Sequence, residues 1–301
     1  MIKISNYNNS LSLGVNPQGG SLSFLKFRDK NKIYDILRPE SKNKKNINII
    51  KTAGFPLTPF CNRVDKNAFT YKKNKYYLKN NTKLGKFYLH GDGWLNKWKI
   101  IKKSKDKVRL SYTNKHSKFT PYNYISNQDL ILKKNSLRID LSVKNIGNID
   151  LPFGLGFHPY FPKNKFTLLK AKSKKYWIEN NDYIPTKSRS LSTKLNFNNY
   201  NLLPSKWTNN CFDCWDSNAK IIWPDKKIIL SINASDNCKF FFLHVSSKKF
   251  EKNFKNDYFC FEPMTHLVNA HNIKNKKGLI NLSRNEIMKI SILMKIQRTN
   301  D

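Results

Sequence analysis

Strand alternation runs through most of this chain, while helical periodicity is scarce. In SLRIDLSVK, residues 136–144, Leu137, Ile139, Leu141 and Val143 fall on one side and Arg138, Asp140, Ser142 and Lys144 on the other. A two-residue period of this kind marks a strand with one face buried. KVRLSYT, residues 107–113, alternates in the same way, and the last segment sets Met288, Ile290, Ile292, Met294 and Ile296 on one side. Shorter candidates lie at 21–27, 75–78, 98–102, 128–134, 220–223, 227–233 and 239–246, with Gly, Asn, Asp and Pro between them. Many short strands with few helices predict an all-β fold, a large antiparallel β-sandwich. No internal repeat or shift in composition divides the chain, so residues 1–301 read as a single domain. The Lys- and Asn-rich stretches at 40–46 and 248–256 read as exposed loops, and residues 209–225 read as a β-hairpin with a packed Trp215.

The formal charge of +36 invites a nucleic-acid reading, because clustered cations release counterions from phosphate. Lysine outnumbers arginine about six to one, however, and arginine is the better residue for phosphate and base recognition. The lysines are also spread along the whole chain. A solvated basic surface is the simpler reading, with no specific nucleic-acid partner and only incidental polyanion contact at low salt. No apolar run follows the opening MIKIS, and no stretch of about 18 uncharged apolar residues occurs, so neither a signal peptide nor a membrane span is expected. The five cysteines are odd in number and several lie in strand-like runs, as expected of reduced thiols in the cytoplasm. Cys211 and Cys214 form a lone C-x-x-C without a second pair or a βαβ context, so they read as structural.

Several segments combine reactive side chains with rigid or aromatic neighbours. GFHPYF, residues 156–161, sets His158 beside Pro159, which cannot donate to a ladder, so a strand is expected to end there and hold the imidazole. FCFEPMTH, residues 259–266, lodges Glu262, one of five glutamates, among apolar neighbours that would raise its pKa. Together they suggest a proton-transfer site. FCNRVDKNAF, residues 60–69, offers Asn62 and Arg63, whose fork could clamp a hydroxyl or an oxyanion, although for this arginine taken alone a surface ion pair is the better account. LHGDGWLNKW, residues 89–98, offers His90 beside Gly91, with Trp94 and Trp98 as a floor for a sugar ring or as a core pair. His266 and His271 follow Glu262 closely and keep a metal site open as an alternative, but no convincing metal triad emerges. Phosphate-cradling glycine loops and G-x-S-x-G elbows are absent.

In this order the segments resemble the aldose 1-epimerases, or galactose mutarotases, and most closely their bacterial epimerase-like branch. The resemblance rests on LGVNPQGGSLSFLKF (13–27), PFCNRVDKNAF (59–69), LHGDGW (89–94), NIGNIDLPFGLGFHPYFP (145–162), WDSNAKIIWPD (215–225) and FCFEPMTHLVNAHN (259–272). It implies the galactose mutarotase-like supersandwich with an open sugar cleft, and interconversion of α and β anomers of a free aldose by ring opening and reclosure. Glu262 matches the general base and His158 the general acid. Arg63 and His90 match residues that bind the sugar, and Asn62 and Trp94 lie beside them. One position departs, because Asn209 stands where the family usually has an aspartate that holds sugar hydroxyls. The resemblance implies no cofactor or metal, a small-molecule sugar as partner, and a monomer or homodimer. For those roles as base and acid, Glu262 must be ionised while His158 is protonated, a state available around neutral pH. A non-catalytic sugar-binding protein on the same scaffold and a hexose-phosphate mutarotase remain the alternatives.

Overall fold

A computed structural model of the protein describes residues 1–41, 47–115 and 120–299. Of the stretch expected as a loop at 40–46, residues 42–46 lie outside this range; the other, at 248–256, is mostly exposed turn. The alternating segments fold as the pattern predicts. Ser136–Asn145 and Ile287–Arg298 pair antiparallel, Ile139 opposite Ile292 and Leu141 opposite Ile290. Their apolar positions are buried and the residues between them are more exposed.

The described strands form two large antiparallel sheets, one of 11 strands and one of nine. The nine-stranded sheet is centred on Ile228–Ala234, Ile287–Arg298, Ser136–Asn145 and Tyr124–Leu132. The other runs through Gly54–Leu57, Gly156–Pro162, Tyr258–Met264, Phe240–Val245, Thr208–Asp213 and Lys175–Glu179. A single apolar cluster draws on both sheets. This is the antiparallel sandwich expected, with 3-10 turns as its helical elements. No helix among the described residues is long and apolar enough to cross a membrane.

Two local expectations change. Thr208–Asp213 and Asn218–Trp223 are not a hairpin; they belong to opposite sheets, and the chain crosses the sandwich between them. Trp215 sits at that crossing, packed edge-on against Phe241 and Phe261. Nor does the strand end at Pro159, which lies inside Gly156–Pro162. Pairing with Tyr258–Met264 holds at Gly156 and resumes at Tyr160, so the missing N–H falls in a gap of that ladder.

The ring of Phe241 stacks between Phe212 at 4.4 Å and Phe261 at 4.6 Å and is fully buried. Phe241→Ala is expected to cost about 3–5 kcal/mol in urea unfolding, since the cavity cannot collapse between stacked rings. A cost below about 1 kcal/mol would show that these rings do not form the core.

Candidate active site

The two-residue period gives the central strands of the 11-stranded sheet two different faces. Phe157, Phe161, Phe259, Phe261, Phe241 and Leu243 point into the core and are fully buried. The alternate residues His158, Tyr160, Tyr258, Glu262, Phe242 and His244 line a cleft of about 390 Å³ on the opposite face. Register fixes their neighbours: His158 lies opposite Phe55, Glu262 opposite Phe242, and His244 opposite Asn209. Larger hollows of about 620 and 700 Å³ exist elsewhere, but they contain none of these residues. The cleft is instead distinguished by its convergent polar groups.

Loops supply the remaining wall. Asn62 and His90 both adopt left-handed backbone, with φ of 59° and 60°. They clasp each other: the His90 N–H donates to the Asn62 carbonyl at 2.9 Å, and the Asn62 N–H donates to His90 Nδ1 at 3.0 Å. Gly91 follows with φ of 68°, and a Cβ there would meet the Thr58 carbonyl oxygen at 2.3 Å. Because Nδ1 accepts a hydrogen bond, the neutral ring of His90 carries its proton on Nε2. Arg63 is buried, its guanidinium 4.7 Å from the Tyr183 ring centroid, with Nη1 donating to Asn62 Oδ1 at 3.3 Å.

At the centre, His158 Nε2 lies 3.3 Å from Glu262 Oε1. Glu262 is 1 % exposed and His158 8 %. Burial pushes the Glu262 carboxyl well up, opposed by Arg63, and pushes the His158 imidazole well down, reinforced by His90 and His244. Desolvation acts against the charged form of both groups, so the ionised glutamate and protonated histidine expected for catalysis call for stabilisation from other polar groups. Both shifts favour placing a proton of the pair on Glu262. Among the described residues, Glu262 Oε2 and His158 Nδ1 have no hydrogen-bond partner. His158 is held between two rings, Phe55 at 4.6 Å and Tyr160 at 4.7 Å.

All seven sequence-predicted residues, Glu262, His158, Arg63, His90, Asn209, Asn62 and Trp94, border this one cleft. Trp94 is 2 % exposed and stacks on Phe55, so its indole packs beneath His90 and offers little face to a ring. Trp98 is likewise buried in the core. One nitrogen each of His90 and His158 and one Glu262 oxygen lie within 4.8 Å of one another. This set suits a metal poorly, because the His90 nitrogen that remains carries hydrogen. His266 is no ligand either, since one ring nitrogen accepts from the Cys61 N–H at 2.9 Å and the other meets the Leu267 carbonyl at 2.8 Å. His271 Nε2 lies 2.9 Å from the Tyr122 hydroxyl. Cys211 is buried and Cys214 exposed, and both thiols are free.

Sequence reasoning missed four residues. Arg38 stacks on Tyr160 and Tyr258, at 3.9 and 4.2 Å from their centroids, and Glu251 joins the Lys51 ammonium to the Tyr258 hydroxyl. His244 lies in the wall, and Glu179 hydrogen-bonds Asn209 from behind it. A usable signal for both glutamates was the rarity of the residue itself, with five in the whole chain.

Fold and cleft together define a β-sandwich that gathers buried acid–base groups on one sheet face. The aldose 1-epimerase family profile matches residues 1–295. The uncharacterized Escherichia coli K12 protein YphB is 34% identical over 278 residues, 92% of each chain. The crystal structure of a candidate aldose 1-epimerase from Escherichia coli K12 superposes with a TM-score of 0.91 at 32% identity, covering 98% of both chains. A galactose mutarotase-like protein from Clostridium acetobutylicum shares the fold, with a TM-score of 0.82 at 20% identity over 96% of this chain and 93% of that one. The chain belongs to the aldose 1-epimerase family.

Burial also holds the imidazoles of His90, His244 and His266 below their ordinary value, the latter two to about 4. Side-chain 15N NMR at about pH 6, just below the free-imidazole midpoint of about 6.5, is expected to show His90, His158, His244 and His266 neutral. An imidazolium signal from His158 under those conditions would overturn the desolvation argument.

Proposed function

We propose that the protein is a mutarotase that interconverts the α and β anomers of a free aldose. The observation that carries this reading is the 3.3 Å contact between His158 and Glu262 in a cleft of about 390 Å³, the size class of small-molecule sites. In the forward step, the Glu262 carboxylate takes the proton of the anomeric hydroxyl while the His158 imidazolium gives its proton to the ring oxygen. The bond between the anomeric carbon and the ring oxygen breaks, and that carbon becomes a carbonyl. Rotation about the next carbon–carbon bond presents its other face. Reclosure runs the transfers backwards: His158 takes the proton from the former ring oxygen and Glu262 returns one to the carbonyl oxygen.

The proton count explains why desolvation helps. Ring opening converts carboxylate and imidazolium into carboxylic acid and neutral imidazole, the form that burial already favours. The charged form before opening is stabilised by hydroxyls of the bound sugar. The His90 Nε2–H and the Arg63 guanidinium stand beside the pair as donors for charge on the ring oxygen. Mutarotation proceeds slowly in water, so one positioned acid and one positioned base, each contributing roughly 10²–10⁴-fold, are sufficient. In this reading residues 1–301 act as one domain, as a monomer or homodimer, and the free thiols suit a reducing cytoplasmic compartment. Lys51 and Lys83 line the cleft, so a phosphorylated hexose is the second substrate to try.

Polarimetry of freshly dissolved α-D-glucose and α-D-galactose is expected to show faster loss of excess rotation with the protein than without it. Glu262→Gln and His158→Asn are each expected to lower the rate roughly a hundredfold or more while leaving the fold intact. Wild-type rates in both variants would refute the site. No response from any free or phosphorylated sugar would favour a binding protein without catalysis.

A further inference from the structure

Glu179, at the end of Lys175–Glu179, hydrogen-bonds the cleft residue Asn209 and interacts electrostatically with Arg63, and the proton-transfer scheme leaves it unused. Burial raises its carboxyl to about 6, so it is largely ionised at neutral pH. Its two oxygens serve different partners. Oε1 accepts from the Trp207 indole N–H at 3.3 Å, and Oε2 accepts from the Asn209 side-chain amide. Asn209 Oδ1 in turn lies 2.9 Å from His244 Nδ1. A carboxylate has no hydrogen to give, so it fixes the direction of every bond in this chain. Asn209 must turn Nδ2 towards Glu179 and Oδ1 towards His244, and His244 must carry its proton on Nδ1. Asn209 and His244 both line the cleft, and Trp207 packs edge-on against His244 with centroids 5.2 Å apart.

We propose that Glu179 is a positioning residue for sugar binding, which locks the Asn209 amide so that its second N–H and second lone pair stay available to sugar hydroxyls. The proposal deepens the mutarotase reading and rests on it. It also accounts for the asparagine where the family resemblance expects an aspartate. An aspartate at 209 would set two carboxylates against each other, and one would have to take up a proton. The negative charge of this corner resides at 179, where it also acts on the Arg63 guanidinium, and the amide at 209 carries its hydrogen-bond direction to His244.

The two positions should therefore trade roles. Glutamine at 179 has one oxygen and one NH₂, so it cannot accept from both Trp207 and Asn209. Pairing Glu179→Gln with Asn209→Asp restores every bond: the introduced amide accepts from Trp207 and donates to the introduced carboxylate, which accepts from His244. The test compares wild type, both single variants and the double variant. Each single change is expected to raise KM about tenfold with kcat altered less than about twofold, and the double change to bring KM back within about threefold of wild type. A double variant as impaired as the product of the singles, or a Glu179→Gln that lowers kcat at constant KM, would overturn the proposal. Side-chain 15N NMR of His244 reads the same chain without turnover. The proton is expected on Nδ1 in wild type and double variant, and shared between both nitrogens in Glu179→Gln. Wild-type His244 protonated on Nε2 would refute the proposal whatever the activity. Should no sugar be turned over, the Kd for D-galactose replaces KM; the mutarotase reading would then fail, while the trade between 179 and 209 would still be decided.

Discussion

The placing of one buried proton between two side chains, Glu262 and His158, is the constraint on which the proposed chemistry depends. Glu262 and His158 are 3.3 Å apart, both nearly inaccessible, and neither can bear its charge there without help. Desolvation moves the carboxyl up and the imidazole down, which favours the uncharged form of each. In the proposed reaction, sugar hydroxyls that hydrogen-bond both groups tip the proton across. Other residues of the cleft and its surroundings pack around this pair. Phe55 and Tyr160 sandwich the imidazole, Arg38 backs Tyr160, and His90, locked by Asn62, turns a donor towards the same space.

The β-sandwich makes such a site possible because a sheet face delivers side chains in fixed rows. In Gly156–Pro162, Tyr258–Met264 and Phe240–Val245 the odd-numbered phenylalanines build the core while His158, Glu262 and His244 at even numbers face the cleft; in Thr208–Asp213 the parity reverses, with Asn209 at the cleft and Phe212 in the core. Residues 158, 262, 244 and 209 come from four adjacent strands, and inter-strand pairing holds them in place without any helix. The prolines that interrupt these strands are tolerated where the ladder has gaps, as at Pro159. The irregular loops then need only place Arg63 and His90 over the rim, which they do through left-handed backbone at Asn62 and His90. Such strain persists where the surroundings enforce it.

Much of this was legible in the residue pattern. Alternation at 136–144 and 288–296 gave real strands with the expected faces, and aromatic and proline neighbours marked His158 and Glu262. What stayed hidden had a physical cause. Lys175–Glu179 is half-buried at every position, so it shows no alternation and its terminal carboxylate drew no notice. Residues 239–246 are buried on both faces over most of their length, which concealed that His244 turns away from the core. The crossing at Cys214–Ser217 looked like a hairpin because turn residues between two apolar runs do not reveal which sheet the second run joins. Arg38 acts through rings more than a hundred residues away, a contact that no local pattern carries.

Infrared difference spectroscopy on the Glu262 carboxyl tests the shared-proton claim most directly. At neutral pH the wild-type protein, against Glu262→Gln, should show the carbonyl stretch of a protonated carboxylic acid, and saturating sugar should shift part of it to carboxylate. A carboxylate band from Glu262 in the sugar-free protein at neutral pH would contradict the account.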